Sequence, residues 1–184
     1  MAGKSGTRIV ATVNGAPTAA RQQPVTAVSP GVFTVDMTGT GQAVVLNQDG
    51  TVNSSTHPAP RGSVLTLWVT GLGLLGKSYA DGEVVTGGLG SVTHDLTMSL
   101  VAPGPLFLEV LYAGQAPNMA AGVVQVNARI PLNAQPWLTQ VNFYLYVSGL
   151  TGDGPSDLFA NVTTIWLEQG GTAGATSSPP GAIP

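Results

Sequence analysis

Short stretches of alternating apolar and polar residues run along most of the chain. A period of two is the pattern of a strand with one buried face, and it is clearest in 8–13, 64–69 and 141–147. Further strands, each bounded by Gly, Pro or Asn, are predicted at 96–101, 106–112, 123–130 and 161–167. The chain is therefore predicted to be all-β, with about eight to ten mostly antiparallel strands at the spacing of a β-sandwich.

Two dipeptides predict tight hairpin turns. Asn14-Gly15 follows the first alternating stretch, and Asp49-Gly50 lies within 41–53 between two apolar runs. Asn, Asp and Gly tolerate the positive φ angles that two-residue hairpin turns require. Little or no helix is expected, because the dense Gly and Pro residues interrupt helices, and short turns near 117–121 are the best exception.

Four blocks of sequence occur in an order that resembles a known family. They are Ser29-Pro-Gly-Val-Phe33, the hairpin 41–53, Val110-Leu-Tyr-Ala-Gly114 and Val124-Gln-Val-Asn-Ala-Arg-Ile-Pro131, with turns at 70–73 and 81–82 between them. The family is an uncharacterised Ig-like domain at the C-terminus of secreted proteins of soil Acidobacteria, and the resemblance covers about residues 28–132. It implies an exported, non-enzymatic Ig-like β-sandwich. The final third, with Trp137, the strand at 143–146 and Trp166, departs from the family pattern.

The chain divides into three parts by composition. Residues 1–28 form an arm with its own hairpin, which resembles the last strand pair of a preceding Ig-like unit, and residues 29–169 form the predicted Ig-like β-sandwich. Residues 170–184 are rich in Gly, Ser and Pro, as in an extended linker. The arms are expected to reach a neighbouring subunit, although the hairpin pairing within its own subunit is the alternative.

The surface is predicted to carry little charge. Charged residues make up 8% of the 184 residues, apolar residues 43%, and there are 25 glycines and 14 prolines. Weak charge repulsion favours self-association. The net charge of −3 and the scattered six Lys and Arg indicate no nucleic-acid partner.

The compartment is inferred mainly from the resemblance. There are no cysteines, so neither a disulfide framework nor thiol chemistry is predicted. The first residues lack the apolar segment of a signal peptide, so the chain is cytoplasmic, processed or trimmed. We favour a processed or trimmed form of an extracellular or cell-surface protein. No apolar run approaches the length of a membrane span.

Candidate metal ligands are few. His57 and His94 lie far apart in turn-like sequence without a third ligand at zinc spacing, and exposed loop histidines are the simpler interpretation. Oxygen ligands for calcium are conceivable at Asn47, Asp49 and Asn53, or at Asp153 and Asp157, against ordinary turns. No metal or cofactor is predicted.

Other motifs do not indicate an enzyme. No Gly-x-Ser-x-Gly elbow occurs, and the Gly-rich stretches 71–73 and 87–90 lack the Lys of a phosphate-binding loop. Trp68, Trp137 and Trp166 fit a sugar-stacking platform or, more simply, core and interface positions.

The leading hypothesis is a non-enzymatic extracellular structural protein that assembles with copies of itself into a filament or surface assembly by strand exchange. A strand added to a neighbour's sheet satisfies open backbone groups and gives alternate side chains a groove to fill. The candidate subunit-contact strand comprises Arg8, Ile9, Val10, Ala11, Thr12 and Val13. The alternative is an adhesion or carbohydrate-binding module, with Trp137 or Tyr144 contacting a glycan.

Overall fold

A computed structural model describes residues 4–102, 104–134, 140–148, 150 and 158–169. Sixteen strands lie within these ranges. They are β1 (Gly6–Ile9), β2 (Thr12–Val13), β3 (Ala16–Pro17), β4 (Arg21–Pro24), β5 (Gly31–Val32), β6 (Gly41–Gln42), β7 (Val45–Leu46), β8 (Val64–Thr70), β9 (Val84–Val85), β10 (Asp95–Ala102), β11 (Gly104–Gln115), β12 (Met119–Ala120), β13 (Val124–Arg129), β14 (Gln140–Ser148), β15 (Leu158–Phe159) and β16 (Thr163–Trp166).

Ten of these strands form one curled sheet. Its path is β5-β8-β13-β11-β10-β14-β16-β6, while β7 also pairs with β8 and β15 with β14. The twelve-residue β11 pairs with β10 through its first half and with β13 through its second half. The register shifts between Val110 and Tyr112, and such a bulge bends a strand. One strand therefore belongs to both halves of a sandwich-like structure.

The alternating residues of the long strands build a single core. In β8 the side chains of Leu65, Leu67 and Val69 are buried and their neighbours are not. The same alternation buries Phe143 and Leu145 in β14, and all five belong to one apolar cluster. Because alternate side chains point to the same face of the sheet, the period-two pattern places these apolar side chains together in the core. Each Å² of apolar surface buried there stabilises the fold by about 25 cal/mol.

The segment 31–46 covers both lateral edges of the curled sheet. On one edge, β5 and β7 pair with β8; on the other, β6 pairs with β16 in parallel. Within the segment, Val44 N donates to the Phe33 carbonyl at 2.8 Å, and at the second edge Ala43 N donates to the Thr164 carbonyl of β16 at 3.0 Å. A covered edge cannot accept another strand.

Two asparagine side chains hydrogen-bond to the strand backbone at positions where a neighbouring strand would otherwise be the partner. Asn161 Oδ1 accepts from Val32 N at 2.6 Å while its Nδ2 donates to Val32 O at 3.0 Å. In the same way Asn53 Oδ1 accepts from Trp166 N at 2.7 Å, and Asn53 Nδ2 donates to Trp166 O at 2.8 Å. A carboxamide carries one acceptor and two donors, so it pairs with a strand as a peptide group would.

The all-β prediction is confirmed, and the long strands lie close to their predicted positions. Asn14 and Gly15 have φ of 50° and 82°, as the predicted two-residue turn requires. At Asp49-Gly50 a hairpin also forms, but Gly50 has a φ of 82° while Asp49 does not have a positive φ. Asn47 N donates to Thr51 O, so this loop spans residues 48–50 instead of two residues. The short turns expected near 117–121 flank β12. The tail 170–184 lies outside the described residues, as do Trp137, Asp153 and Asp157.

Candidate self-association site

The predicted contact strand lies in a hairpin that stands apart from the curled sheet. β1 pairs with β4, from Gly6 opposite Pro24 to Ile9 opposite Arg21, and β2 pairs with β3 around the Asn14-Gly15 turn. We call residues 4–24 the N-terminal ribbon. Its strands form two separate two-stranded ladders and are not hydrogen-bonded into the ten-stranded sheet.

The candidate strand from Arg8 to Val13 is interrupted at its centre. Ile9 lies opposite Arg21, and Thr18 N donates to Ala11 O at 2.8 Å. Val10 therefore faces two residues, 19 and 20, on the returning strand. This extra residue is a β-bulge, which ends regular pairing locally, so the alternating stretch forms β1 and β2 instead of one continuous strand.

Almost the whole N-terminal ribbon is exposed. Every residue from 4 to 24 except Thr7 is exposed, and Thr7 is half-buried. Ile9, Val10 and Val13 retain 55%, 42% and 60% of their accessible surface. These apolar side chains gain nothing from the core, so the ribbon depends on its own backbone ladder. Isolated two-stranded hairpins are marginally stable in water.

The ribbon joins the curled sheet through a tight contact at residues 28–29. Val28 is buried in the core cluster, and Ser29 N donates to Gly71 O at 2.8 Å. Gly71 has φ of 73°, and a Cβ there would lie 1.9 Å from Ser29 O. A groove of about 310 Å³ next to this contact is lined in part by Thr26 and Leu72. The chain is thus fixed to the curled sheet shortly after the ribbon ends, while the strands of the ribbon stay outside the fold.

The side chains of Asn47, Asp49 and Asn53 are occupied by hydrogen bonds to other protein groups. Asn47 Nδ2 donates to Thr51 Oγ1 and to His57 O, and Asn47 Oδ1 accepts from Asn53 Nδ2. Asp49 Oδ1 accepts from the Thr51 hydroxyl at 2.7 Å and from Thr51 N at 3.0 Å. These bonds hold the hairpin turn, which is the plain β-turn interpretation of this sequence.

The carboxyl groups of two turn residues have lowered pKa values. For Asp49 the Thr51 hydroxyl and then its backbone N–H favour the charged form and lower the pKa. For Asp36 the backbone N–H of Thr38 and then the Thr38 hydroxyl lower the pKa. Both carboxylates therefore act as turn-forming acceptors.

The histidines do not converge on one site. His57 is exposed in the turn 54–57, with its Nδ1 3.1 Å from Thr56 Oγ1. His94 is half-buried near Gly73. Within the ranges that the structure describes, no group of three His, Cys, Asp or Glu residues is arranged to hold a metal ion.

An aromatic row crosses the outer face of the curled sheet. Ser99 on β10 lies directly between Phe107 on β11 and Tyr144 on β14. Tyr146 follows two residues along β14 and packs on Phe159, with ring centroids 5.2 Å apart. Phe107 and Phe159 are 54% and 61% exposed. Sequence reasoning named Tyr144 but missed the other members, because only strand register shows that they share a face.

Trp68 and Trp166 are half-buried on separate strands. They occupy the alternate positions of β8 and β16 whose neighbours form the core. Neither belongs to the aromatic row.

Comparison of the chain with models of protein families, with characterised proteins and with solved structures finds no match. The resemblance over residues 28–132 therefore remains a prediction from its four sequence blocks. Across the described ranges, no helix has the length and apolar character needed to cross a membrane. The class that the fold defines is an all-β sandwich-like protein with a projecting ribbon.

Proposed function

We propose that this protein is a non-enzymatic, extracellular structural subunit that assembles with copies of itself into a filament or surface assembly through its N-terminal ribbon. The observation that carries the proposal is a β-ladder that is exposed at every residue except the half-buried Thr7 and lies outside the core. The resemblance to an Ig-like family of secreted proteins supports the extracellular placement.

Exposed backbone is the reason to expect association at the ribbon. The ribbon has outward backbone N–H and C=O groups without a strand partner, and an edge of this kind is a template for pairing with another chain. Adding strands to a two-stranded ladder also raises its stability, since three or more strands are generally required for an independent sheet. The apolar side chains of Ile9, Val10 and Val13 gain cover in the same step.

The fold favours addition of strands over replacement of a missing strand. The lateral edges at β8 and β16 are covered by residues of the same chain. A donated strand therefore has no unfilled place at those edges. Exchange between subunits is most simply an extension of the ribbon's ladder by a neighbouring strand.

Electron microscopy of the full chain and of a variant lacking residues 1–24 tests this proposal. We expect assemblies of the full chain that become more abundant with protein concentration and are absent from the variant. The variant should retain a folded sandwich, because the ribbon contributes nothing to the core. Single particles from both proteins at every concentration would overturn the proposal, as would equal assembly of both.

A second candidate function, glycan binding, is favoured by the aromatic row. Aromatic rings on an exposed sheet face stack on the apolar faces of sugars, and the hydroxyl of Tyr144 supplies a polar group beside the rings. Phe107 and Tyr144 are two strands apart, which is about 10 Å. Phe107→Ala and Tyr144→Ala should each abolish retention on a polysaccharide matrix, whereas the control Phe33→Ala should not. Equal retention of all three variants would contradict this function.

A further inference from the structure

The hydrogen-bond pattern of the N-terminal ribbon shows which backbone groups point away from it. Val25 N donates to Ser5 O at 3.1 Å, so residues 5 and 25 form a hydrogen-bonded pair. Antiparallel ladders alternate hydrogen-bonded and non-hydrogen-bonded pairs. The pairs 7 with 23 and 9 with 21 therefore bond inward, while Gly6 with Pro24 and Arg8 with Gln22 direct their backbone groups outward.

The same alternation applies near the turn. Val13 and Ala16 flank a two-residue turn and bond to each other, as such turns require. Thr18 N donates to Ala11 O, so residues 11 and 18 also form a hydrogen-bonded pair, as the alternation from Val13 and Ala16 requires. Thr12 and Pro17, which lie opposite each other between these pairs, therefore point outward.

The outer edge formed by β3 and β4 is blocked. Its outward positions include Pro17 and Pro24, which have no N–H to donate, and the bulge at residues 19–20 lies between them. Proline and bulges are both features that protect edge strands from pairing. Gln22 is the one outward residue of β3 and β4 that keeps its N–H.

The outer edge formed by β1 and β2 is open. We call its outward residues Gly6, Arg8, Val10 and Thr12 the open edge; none is a proline, so each offers one N–H and one C=O. Val10 is included because it lies between the inward-facing Ile9 and Ala11. The β1/β2 edge of the ribbon can therefore pair with another strand, whereas the β3/β4 edge is protected from pairing.

Resting on the proposed function, we propose that the open edge pairs antiparallel with the open edge of a second copy, giving a four-stranded sheet across a two-fold axis. An antiparallel edge complements itself, since each N–H and C=O meets the matching group of an identical strand. A second copy is the partner that fits both the number and the spacing of these groups.

The number of pairs selects the register. With Ile9 on the two-fold axis, Gly6 faces Thr12 of the second copy and Arg8 faces Val10 of the second copy, so all four outward residues are paired on both strands. A shift of two residues in one direction places Thr12 opposite Lys4, which precedes β1 and lies outside the open edge, and places Arg8 against its own copy, where like charges repel. The opposite shift leaves Gly6 unpaired.

The selected register also gathers apolar side chains. Residues of odd number in β1 and β2 share one face of the ribbon. Ile9 lies beside its own copy across the axis, and Val13, 60% exposed in the single chain, lies further along the same face. The pairing thus covers apolar surface that the sandwich leaves exposed.

This contact closes after two copies. A two-fold interface uses the same patch on both subunits, so the paired ribbons make a dimer that is the unit of any larger assembly. Growth beyond the dimer then requires a second contact elsewhere on the fold.

Matched proline substitutions in one ladder pair test which edge is used. Arg8→Pro removes an outward N–H from the open edge, and Gln22→Pro removes the outward N–H directly opposite it; neither breaks an inward bond. In the full chain, sedimentation equilibrium should show that Arg8→Pro weakens dimerisation by about thirtyfold or more, since it deletes two hydrogen bonds per dimer at about 1 kcal/mol each. Gln22→Pro should change the dimer dissociation constant by less than about threefold. The charge control Arg8→Gln should also change it by less than about threefold.

A cysteine introduced on the axis tests the register. The chain has no cysteine, so a single substitution gives one thiol per copy. Ile9→Cys should form a disulfide-linked dimer on mild oxidation, because directly opposed residues of a non-hydrogen-bonded pair have Cα atoms about 4.5 Å apart, within disulfide reach. Thr7→Cys alone should not, since its expected neighbour is Ala11 of the second copy, but a mixture of Thr7→Cys and Ala11→Cys chains should crosslink.

These outcomes separate this inference from the proposed function. Equal dimerisation of the two proline variants, or greater loss with Gln22→Pro, overturns the open-edge pairing. If deletion of residues 1–24 still abolishes assembly in that case, the ribbon remains the association site and only the edge assignment fails. A full chain that is monomeric at every concentration overturns both.

Discussion

Substitution of Asn53 by alanine should destabilise the sandwich far more than loss of an ordinary surface amide. The Asn53 side chain is 1% exposed and joins the hairpin 41–53 to a strand more than a hundred residues away. Its Oδ1 accepts from Trp166 N at 2.7 Å, and its Nδ2 donates to Trp166 O at 2.8 Å and to Asn47 Oδ1 at 3.0 Å. Alanine removes these three bonds and also the bond that Gln42 Nε2 donates to Asn53 Oδ1 at 3.3 Å.

The expected magnitude follows from what remains unpaired. Trp166 O still accepts from Ala59 N at 2.9 Å, but Trp166 N and Asn47 Oδ1 lose these partners. An unsatisfied buried polar group costs about 1–3 kcal/mol, so with two such groups Asn53→Ala should lower the free energy of unfolding by about 2–6 kcal/mol.

Urea unfolding of the variant lacking residues 1–24 is the appropriate assay, because self-association makes apparent stability depend on protein concentration. Asn142→Ala is the matched control, since Asn142 is exposed on β14 and should change stability by less than about 0.5 kcal/mol. A shift for Asn53→Ala no larger than that of Asn142→Ala would refute the claim that side-chain amides close the sheet.

Two further predictions concern turns. Gly71→Ala should lower the free energy of unfolding by about 2 kcal/mol or more, because φ is positive and the new Cβ would lie 1.9 Å from Ser29 O. Gly82 has a φ of 75° in open space, so Gly82→Ala should lower the melting temperature less than Gly71→Ala does in thermal melts. Because hydrogen bonds from Thr51 lower the Asp49 pKa from 3.8 in the folded state, the stability that this carboxylate adds is present above that pH and is lost as the pH falls through the folded-state pKa. Asp49→Asn should therefore flatten the acid limb of a stability-versus-pH curve, and an unchanged acid limb would contradict this role.

The long strands could be predicted from sequence because their burial is periodic. β8 and β14 alternate buried and less buried residues along their length, and the period-two pattern is a direct record of that burial. The Asn14-Gly15 and Asp49-Gly50 turns could be predicted for a similar reason, since their backbone φ requirement is local.

The closure of the sheet could not be predicted in the same way. Two-residue strands such as β5 and β6 are too short to show a period. The sequence places Asn53 at a turn and Asn161 at the start of a strand, whereas the partners of their side chains, Trp166 and Val32, lie 113 and 129 residues away. Contacts at such separation depend on topology and leave no local signal.

The candidate site was partly readable. Alternation predicted a strand from Arg8 to Val13, and the resemblance of this hairpin to the last strand pair of a preceding unit suggested a contact with a neighbouring subunit. The roles of Pro17 and Pro24 required the ladder register, because a proline blocks an edge only when its nitrogen points outward. The bulge opposite Val10 was likewise invisible before pairing was known.

Amide hydrogen exchange along the N-terminal ribbon, measured in the full chain across a range of protein concentrations, tests the central claim most directly. Outward amides such as those of Arg8 and Val10 have no partner in the ribbon of a single copy, so their exchange should slow as concentration rises, while the outward amide of Gln22 should not change. Assemblies that form without any slowing of exchange in residues 4–24 would contradict the account.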